Sequence, residues 1–170
     1  MYLVDSNVLI DAKNRYYAFD IAPGFWTWLE EAHAAGEVCS IEAVQKELIA
    51  GADQLAEWAA HNKSFFRVTD QATAARFPAL TSWAASRQYT AAALAEFAGD
   101  HADYQLVAYA SAHDHVLVTH ERSNLESRRR VMIPDACAAI GATCLDPFEM
   151  MRRTGAKLEL RSEAPDVGLL

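Results

Sequence analysis

A chain of 170 residues, 52% apolar and 22% charged, has the balance of one globular domain with a sizeable core, which excludes a disordered segment. Its net charge of −8 excludes bulk electrostatic attraction as a means of holding nucleic acid. No apolar run nears the roughly 18 residues of a membrane span, and no signal-peptide layout opens the chain; Cys39, Cys137 and Cys144 form no close pair, so reduced thiols in a cytoplasmic protein are expected.

In chain order, Tyr2 to Val4 reads as a short buried strand, and Ser6 to Ala12 as the start of a helix or turn. The stretch "APGFWTWLEEAHAAG" predicts a helix entered at Pro23 and Gly24 and ended by Gly36. "EVCSI" predicts a second strand, after which Ser40 is expected to cap a helix, "SIEAVQKELIAG", that stops at Gly51. Residues 52–99 read as a mostly helical, alanine-rich insertion or cap, interrupted by "FFRVT" and Pro78. "DHADYQLVAYASAH" is a further helix and "VLVTH" a β-branched buried strand. Beyond an arginine-rich loop come a helix at Pro134 to Ile140, a strand at Thr143 to Leu145 and a last helix from Pro147. Strands alternating with helices imply an α/β sandwich with a short central parallel sheet. One domain over 1–161 is expected, with 162–170 a flexible tail.

Charge is unevenly spread. From Arg122 to Arg161 eight Lys/Arg meet five Asp/Glu, a local +3, which leaves −11 for the rest. A run such as Arg128, Arg129 and Arg130 is ordinarily a solvated face. Beside a site that handles phosphate, these residues and Arg122 gain a use, since guanidinium groups hold phosphate oxygens bidentately.

Four acids stand where the pattern invites another residue. An open parallel sheet binds ligands outside the carboxyl ends of its strands, and both Asp5 and Glu121 follow strands directly. Asp103 sits within the stripe formed by Leu106, Val107 and Ala110, so it faces the core from the first turn of its helix. Glu47 lies about 60° from the apolar edge of its own helix, at 100° per residue. Each has a plain alternative: Asp5 or Asp103 as a helix-capping acid, Glu47 as a boundary residue. Converging, they would repel unless a cation neutralised them, and hard oxygen donors suit Mg²⁺ or Mn²⁺.

In their order, "YLVDSNVLID", "VQKEL", "ADYQLVAYA" and "VLVTHE" resemble the four successive motifs of PIN-domain nucleases. The resemblance covers about the first 145 residues, and "IPDAC" is similar to a PIN-like bacterial subfamily without an assigned function. It implies a three-layer α/β/α PIN-like domain and metal-dependent hydrolysis of RNA, commonly by VapC-type toxins that act as homodimers beside a cognate antitoxin. Asp5, Glu47, Asp103 and Glu121 would be the catalytic, metal-holding acids, with Mg²⁺ or Mn²⁺ as cofactor. Ser6 or Asn7 would orient Asp5 and the water, and Thr119 would shape the last acid's loop. The fourth position departs from the pattern: Glu121 stands where the family usually has Asp. That leaves open a direct ligand, one acting through water, or a catalytically silent module that binds a protein or RNA.

Other chemistries find little support. His113, His115 and His120 lack a fourth zinc ligand at a usual spacing, and "HERSN" is not a zincin motif. Serine-hydrolase, P-loop and dinucleotide motifs are absent, and Asn7 occupies the place of the second Asp in a D-x-D phosphatase. Trp26, Trp28, Trp58, Trp83, Phe65 and Phe66 are expected in a core or an interface rather than as base-stacking platforms.

Overall fold

A computed structural model describes residues 1–159, so the expected tail at 162–170 lies outside the described residues. Five strands form one parallel sheet: β1 (Tyr2–Val4), β2 (Val38–Ile41), β3 (Phe66–Arg67), β4 (Val116–Val118) and β5 (Thr143–Leu145), in the order β3-β2-β1-β4-β5. Tyr2 pairs with Val38 on one side and Val116 on the other, so β1 is the central strand. The chain steps outward from β1 to β2 and β3, then crosses back to β4 on the far side of β1. This reversal opens a crevice at the carboxyl ends of β1 and β4, where parallel sheets take their ligands.

Helices flank the sheet in a three-layer α/β/α arrangement, as the motif resemblance implies. They are α1 (Ser6–Asp11), α2 (Pro23–Ala34), α3 (Glu42–Ala50), α4 (Gln54–His61), α5 (Gln71–Ala74), α6 (Phe77–Ser86), α7 (Ala91–Phe97), α8 (Ala102–His113), α9 (Ile133–Ala139) and α10 (Pro147–Arg153). The central strands are covered on both faces by helices: Leu3, Val4, Val38, Cys39, Leu117 and Val118 are all fully buried. Trp26, Trp58, Phe65 and Phe66 are buried against one another in the core, while Trp28 and Trp83 are half-buried. Among the described residues no helix is long and apolar enough to cross a membrane.

Two local expectations change. "FFRVT" interrupts the helical stretch because Phe66–Arg67 is itself a strand, pairing Ser40 with Phe66 at the edge of the sheet. Two residues are too few to show an alternating pattern. Ser40 does not cap α3. It lies inside β2, fully buried, and its hydroxyl donates to the Val4 carbonyl at 2.6 Å, while Ile41 precedes the helix without a side-chain cap. A buried hydroxyl needs a partner, and the neighbouring strand supplies one where the chain enters the crevice.

Ser40→Ala is expected to lower stability by about 1–2 kcal/mol, because it removes a buried hydrogen bond. Urea unfolding measures the loss as a lower midpoint with an unchanged slope.

Candidate active site at the ends of β1 and β4

Asp5 follows β1 in extended conformation (φ −75°, ψ 154°) and occupies the N-cap position of α1, yet its carboxylate caps nothing. The side chain is instead 1% exposed and turned to its neighbours across the crevice. The Thr119 hydroxyl donates to Oδ2 at 2.9 Å and the Ser6 hydroxyl to Oδ1 at 3.3 Å. The backbone N–H of Asp5 donates to the Val118 carbonyl at 3.0 Å, which ties the end of β1 to the end of β4.

Thr119 is the hub of this junction. While giving its proton to Asp5, its hydroxyl oxygen accepts from Asn7 Nδ2 at 3.0 Å and from the Glu121 N–H at 3.1 Å. Asn7 Oδ1 in turn accepts from the His120 N–H at 3.2 Å. Ser6 therefore meets Asp5 directly, and Asn7 acts on it through Thr119. Every buried polar side-chain atom among the described residues has a partner, so the junction is held without strain from orphaned groups.

The four acids of the sequence pattern are not equivalent. Burial pushes the Asp5 carboxyl up to about 7, with the charge of Asp103 the next cause and that of Glu121 adding to it; the Thr119 hydroxyl and the Ser6 N–H act in the opposite sense. Asp103 is half-buried in the first turn of α8 and is also raised, by burial first and by the Glu47 charge, against the lowering effects of Arg130 and His101. Glu47 is exposed on α3, close enough for its charge to be felt at Asp103. Asp5 and Asp103 thus form a mutually repelling pair, with Glu47 at its solvent side.

Glu121 is engaged elsewhere. Its side chain is 7% exposed, and both oxygens have protein partners: Oε1 pairs with the Arg130 guanidinium, and Oε2 accepts from the Ile133 N–H at 2.8 Å, in the first turn of α9. Burial raises its carboxyl, while Ile133 and Arg130 oppose that rise. Of the arginines, Arg130 borders a cleft of about 280 Å³ with Ala93, Glu96, Phe97, Asp103 and Val131. Arg128 turns back on its own loop, donating to the Leu125 and Ser127 carbonyls, and Arg122 and Arg129 are exposed.

One residue of this region escapes the sequence reading. Asp135, 5% exposed at the start of α9, accepts from the Ser123 hydroxyl and from the Asn124 N–H at 3.1 Å, and so fastens the loop after Glu121. An acid in a helix's first turn usually signals a dipole or cap effect, and its long-range grip is legible only once the loop is folded over it.

As donors for a divalent cation, Asp5 and Asp103 suit Mg²⁺ or Mn²⁺, which are commonly held by one or two carboxylates and complete their shell with water. Among the described residues no three His, Cys, Asp or Glu side chains group closely enough to enclose a metal ion. A closed, zinc-like cage is therefore not what this crevice offers. What it brings together is two carboxylates, Asp5 and Asp103, with the charge of Asp103 felt at Asp5.

The sign of the pH dependence follows from Asp5. Its carboxyl is raised in the folded state from 3.8 to about 7, so the fold binds an extra proton between those values and loses stability as pH rises through them. In EDTA, Asp5→Asn is expected to stabilise the protein at pH 8 by on the order of a few kcal/mol, since each tenfold difference in proton affinity between folded and unfolded chain is worth about 1.4 kcal/mol. The advantage should vanish near pH 4. Urea midpoints of both proteins across this range measure it, and equal midpoints at pH 8 would contradict a costly buried charge.

Comparison with known proteins agrees with this architecture. The crystal structure of FitAcB from Neisseria gonorrhoeae is similar at 16% sequence identity with a TM-score of 0.53, over 87% of this chain and 99% of that one. At that identity the likeness concerns the fold, a PIN-like α/β/α domain. No curated protein matches the chain. A family model described as "Domain of unknown function (DUF4411)" matches residues 2–158, and the chain belongs to that family.

Proposed function

We propose that this protein is a metal-dependent endoribonuclease, the toxin of a type II toxin–antitoxin pair. The observation that carries the proposal is the Asp5–Asp103 pair: two carboxylates from distant segments, each raised by burial and Asp5 further raised by the charge of Asp103, at the crevice of a parallel sheet. Repulsion of that kind is relieved by a divalent cation. The ordered PIN-like motifs and the PIN-like fold support hydrolysis of nucleic acid at this site, and the motif resemblance supports RNA, a homodimer and a cognate antitoxin.

In this reading Asp5 and Asp103 hold Mg²⁺ or Mn²⁺, with Glu47 at the solvent side. When bound, the ion supplies positive charge that activates a water and offsets charge developing on the phosphoryl oxygens. Thr119 and Ser6 fix the Asp5 carboxylate, so its geometry is set before substrate arrives. Asn7 fixes Thr119. The arginines beyond β4, Arg122 and Arg128 to Arg130, supply the cationic surface that the acidic remainder of the chain lacks.

One observation favours a second reading, a silent module that binds RNA or a partner protein without cutting: Glu121 is taken up by Arg130 and Ile133. Incubation of the purified protein with a mixed RNA pool in Mn²⁺, Mg²⁺ or EDTA separates the two. Cleavage that needs metal and falls about 100-fold or more in Asp103→Asn is expected of the nuclease. Metal-indifferent traces of equal size in wild type and variant would leave only the binding module.

A further inference from the structure

Glu121 is the fourth acid of the motif series, yet its surroundings give it different work. Its Oε2 accepts from the Ile133 N–H at the start of α9, and its Oε1 holds the Arg130 guanidinium. A cation seated on Glu121 would lie beside a guanidinium that already claims the same carboxylate, and two neighbouring positive charges repel. Because Glu121 stands two residues beyond Thr119, whose hydroxyl accepts its N–H, the carboxylate is anchored from both its backbone and its oxygens.

Arg130 has the complementary character. Its side chain is 61% exposed while its partner is almost wholly buried, so one end of the guanidinium is fixed and the remainder faces solvent. Its backbone is held as well: the Ser127 hydroxyl donates to the Arg130 carbonyl at 2.7 Å, and the neighbouring Arg128 carbonyl accepts from the Thr90 N–H at 2.8 Å. The cleft it borders has two acids, Asp103 and Glu96, and the apolar Ala93, Phe97 and Val131 on its walls, so Arg130 is the cation of its lining. An arginine so oriented, at the mouth of a cleft that also contains a site acid, is placed to grip an oxyanion as that group approaches Asp103. Pre-anchoring by a buried acid reduces the side-chain freedom lost on binding.

Resting on the nuclease reading, we propose that Glu121 is not a metal ligand but the positioning residue for Arg130, and that Arg130 binds a phosphate of the RNA strand in the cleft between α7 and α8. The extra methylene of Glu relative to Asp then has a purpose, since it lets one carboxylate span from the β4 end to both α9 and Arg130. Arg130 is the member of the arginine run that this assigns to substrate, and Arg128 serves its own loop.

The test compares wild type with Asp103→Asn, Glu121→Gln, Arg130→Gln, Arg130→Lys and the double variant Glu121→Gln/Arg130→Gln, with folding checked by circular dichroism. Mn²⁺ affinity is measured by calorimetry, and affinity for single-stranded RNA by fluorescence anisotropy in EDTA across a salt series. Asp103→Asn is expected to weaken Mn²⁺ about tenfold or more, while Glu121→Gln and Arg130→Gln change it less than about threefold. Both of the latter should weaken RNA about tenfold, and the double variant no further, because the two residues act as one unit. Arg130→Gln should also reduce the salt slope by about one phosphate contact, and Arg130→Lys should recover part of the affinity.

Glu121→Gln that loses Mn²⁺ as severely as Asp103→Asn would make Glu121 a ligand and overturn the proposal. Additive losses of RNA affinity in the double variant would overturn the positioning role. If Glu121→Gln fails to fold, Arg130→Gln still decides: RNA affinity and salt slope unchanged from wild type would overturn the assignment of Arg130 to the phosphate. Should wild type bind neither RNA nor Mn²⁺ through Asp103, the nuclease reading itself falls and takes this inference with it.

Discussion

A carboxylate buried at the end of the central strand is the constraint on which the site depends. Asp5 sits at 1% exposure, and its carboxylate is supported by the hydroxyls of Thr119 and Ser6 and by the Ser6 N–H. That support is incomplete, since burial and the Asp103 charge still hold its carboxyl up to about 7, while the Asp5 N–H ties the strand end to Val118. Everything at the crevice follows from that arrangement. Thr119 must lie where β4 ends, Asn7 must brace Thr119, and β1 must be flanked by β4 rather than stand at an edge. The two oxygens of Asp5 each accept from a hydroxyl, a pattern that asparagine or serine would not reproduce.

The second layer of organisation belongs to the loop between β4 and α9. Two acids grip it from inside: Glu121 reaches forward to Arg130 and Ile133, and Asp135 reaches back to Ser123 and Asn124. Of the arginines between these clamps, Arg130 is held by Glu121 and Arg128 by its own loop. For the RNA hydrolysis proposed above, an acidic protein needs its few cations held where the substrate would arrive, since its overall field works against approach. The paired clamps would meet that need at the cost of one acid that the motif series would give to metal.

Much of this was legible before the fold was seen, and the reasons differ by element. Strands β1, β4 and β5 announced themselves as short β-branched or apolar runs next to polar breaks, and Asp103 stood out because a charge within an apolar stripe is expensive. The edge strand β3 was hidden because Phe66–Arg67 is too short for a period-two pattern. Ser40 looked like a helix cap because serine before an acidic first turn usually is one; its hydroxyl instead serves Val4, a contact 36 residues away in sequence. Glu121 follows β4 at the sheet's end, but nothing local in the sequence foretells that Arg130 and the start of α9 claim its oxygens. Partners brought together by loops leave little trace in periodicity.

The central claim is that Asp5 and Asp103 together seat a divalent cation. Its most direct measurement is anomalous diffraction from crystals soaked in Mn²⁺, collected for wild type and for Asp103→Asn. A single strong peak touching the carboxylates of Asp5 and Asp103 in wild type, absent from the variant, with Glu121 still bound to Arg130, is the expected result. No peak at the crevice at millimolar Mn²⁺, or a peak that survives the loss of the Asp103 charge, would contradict it.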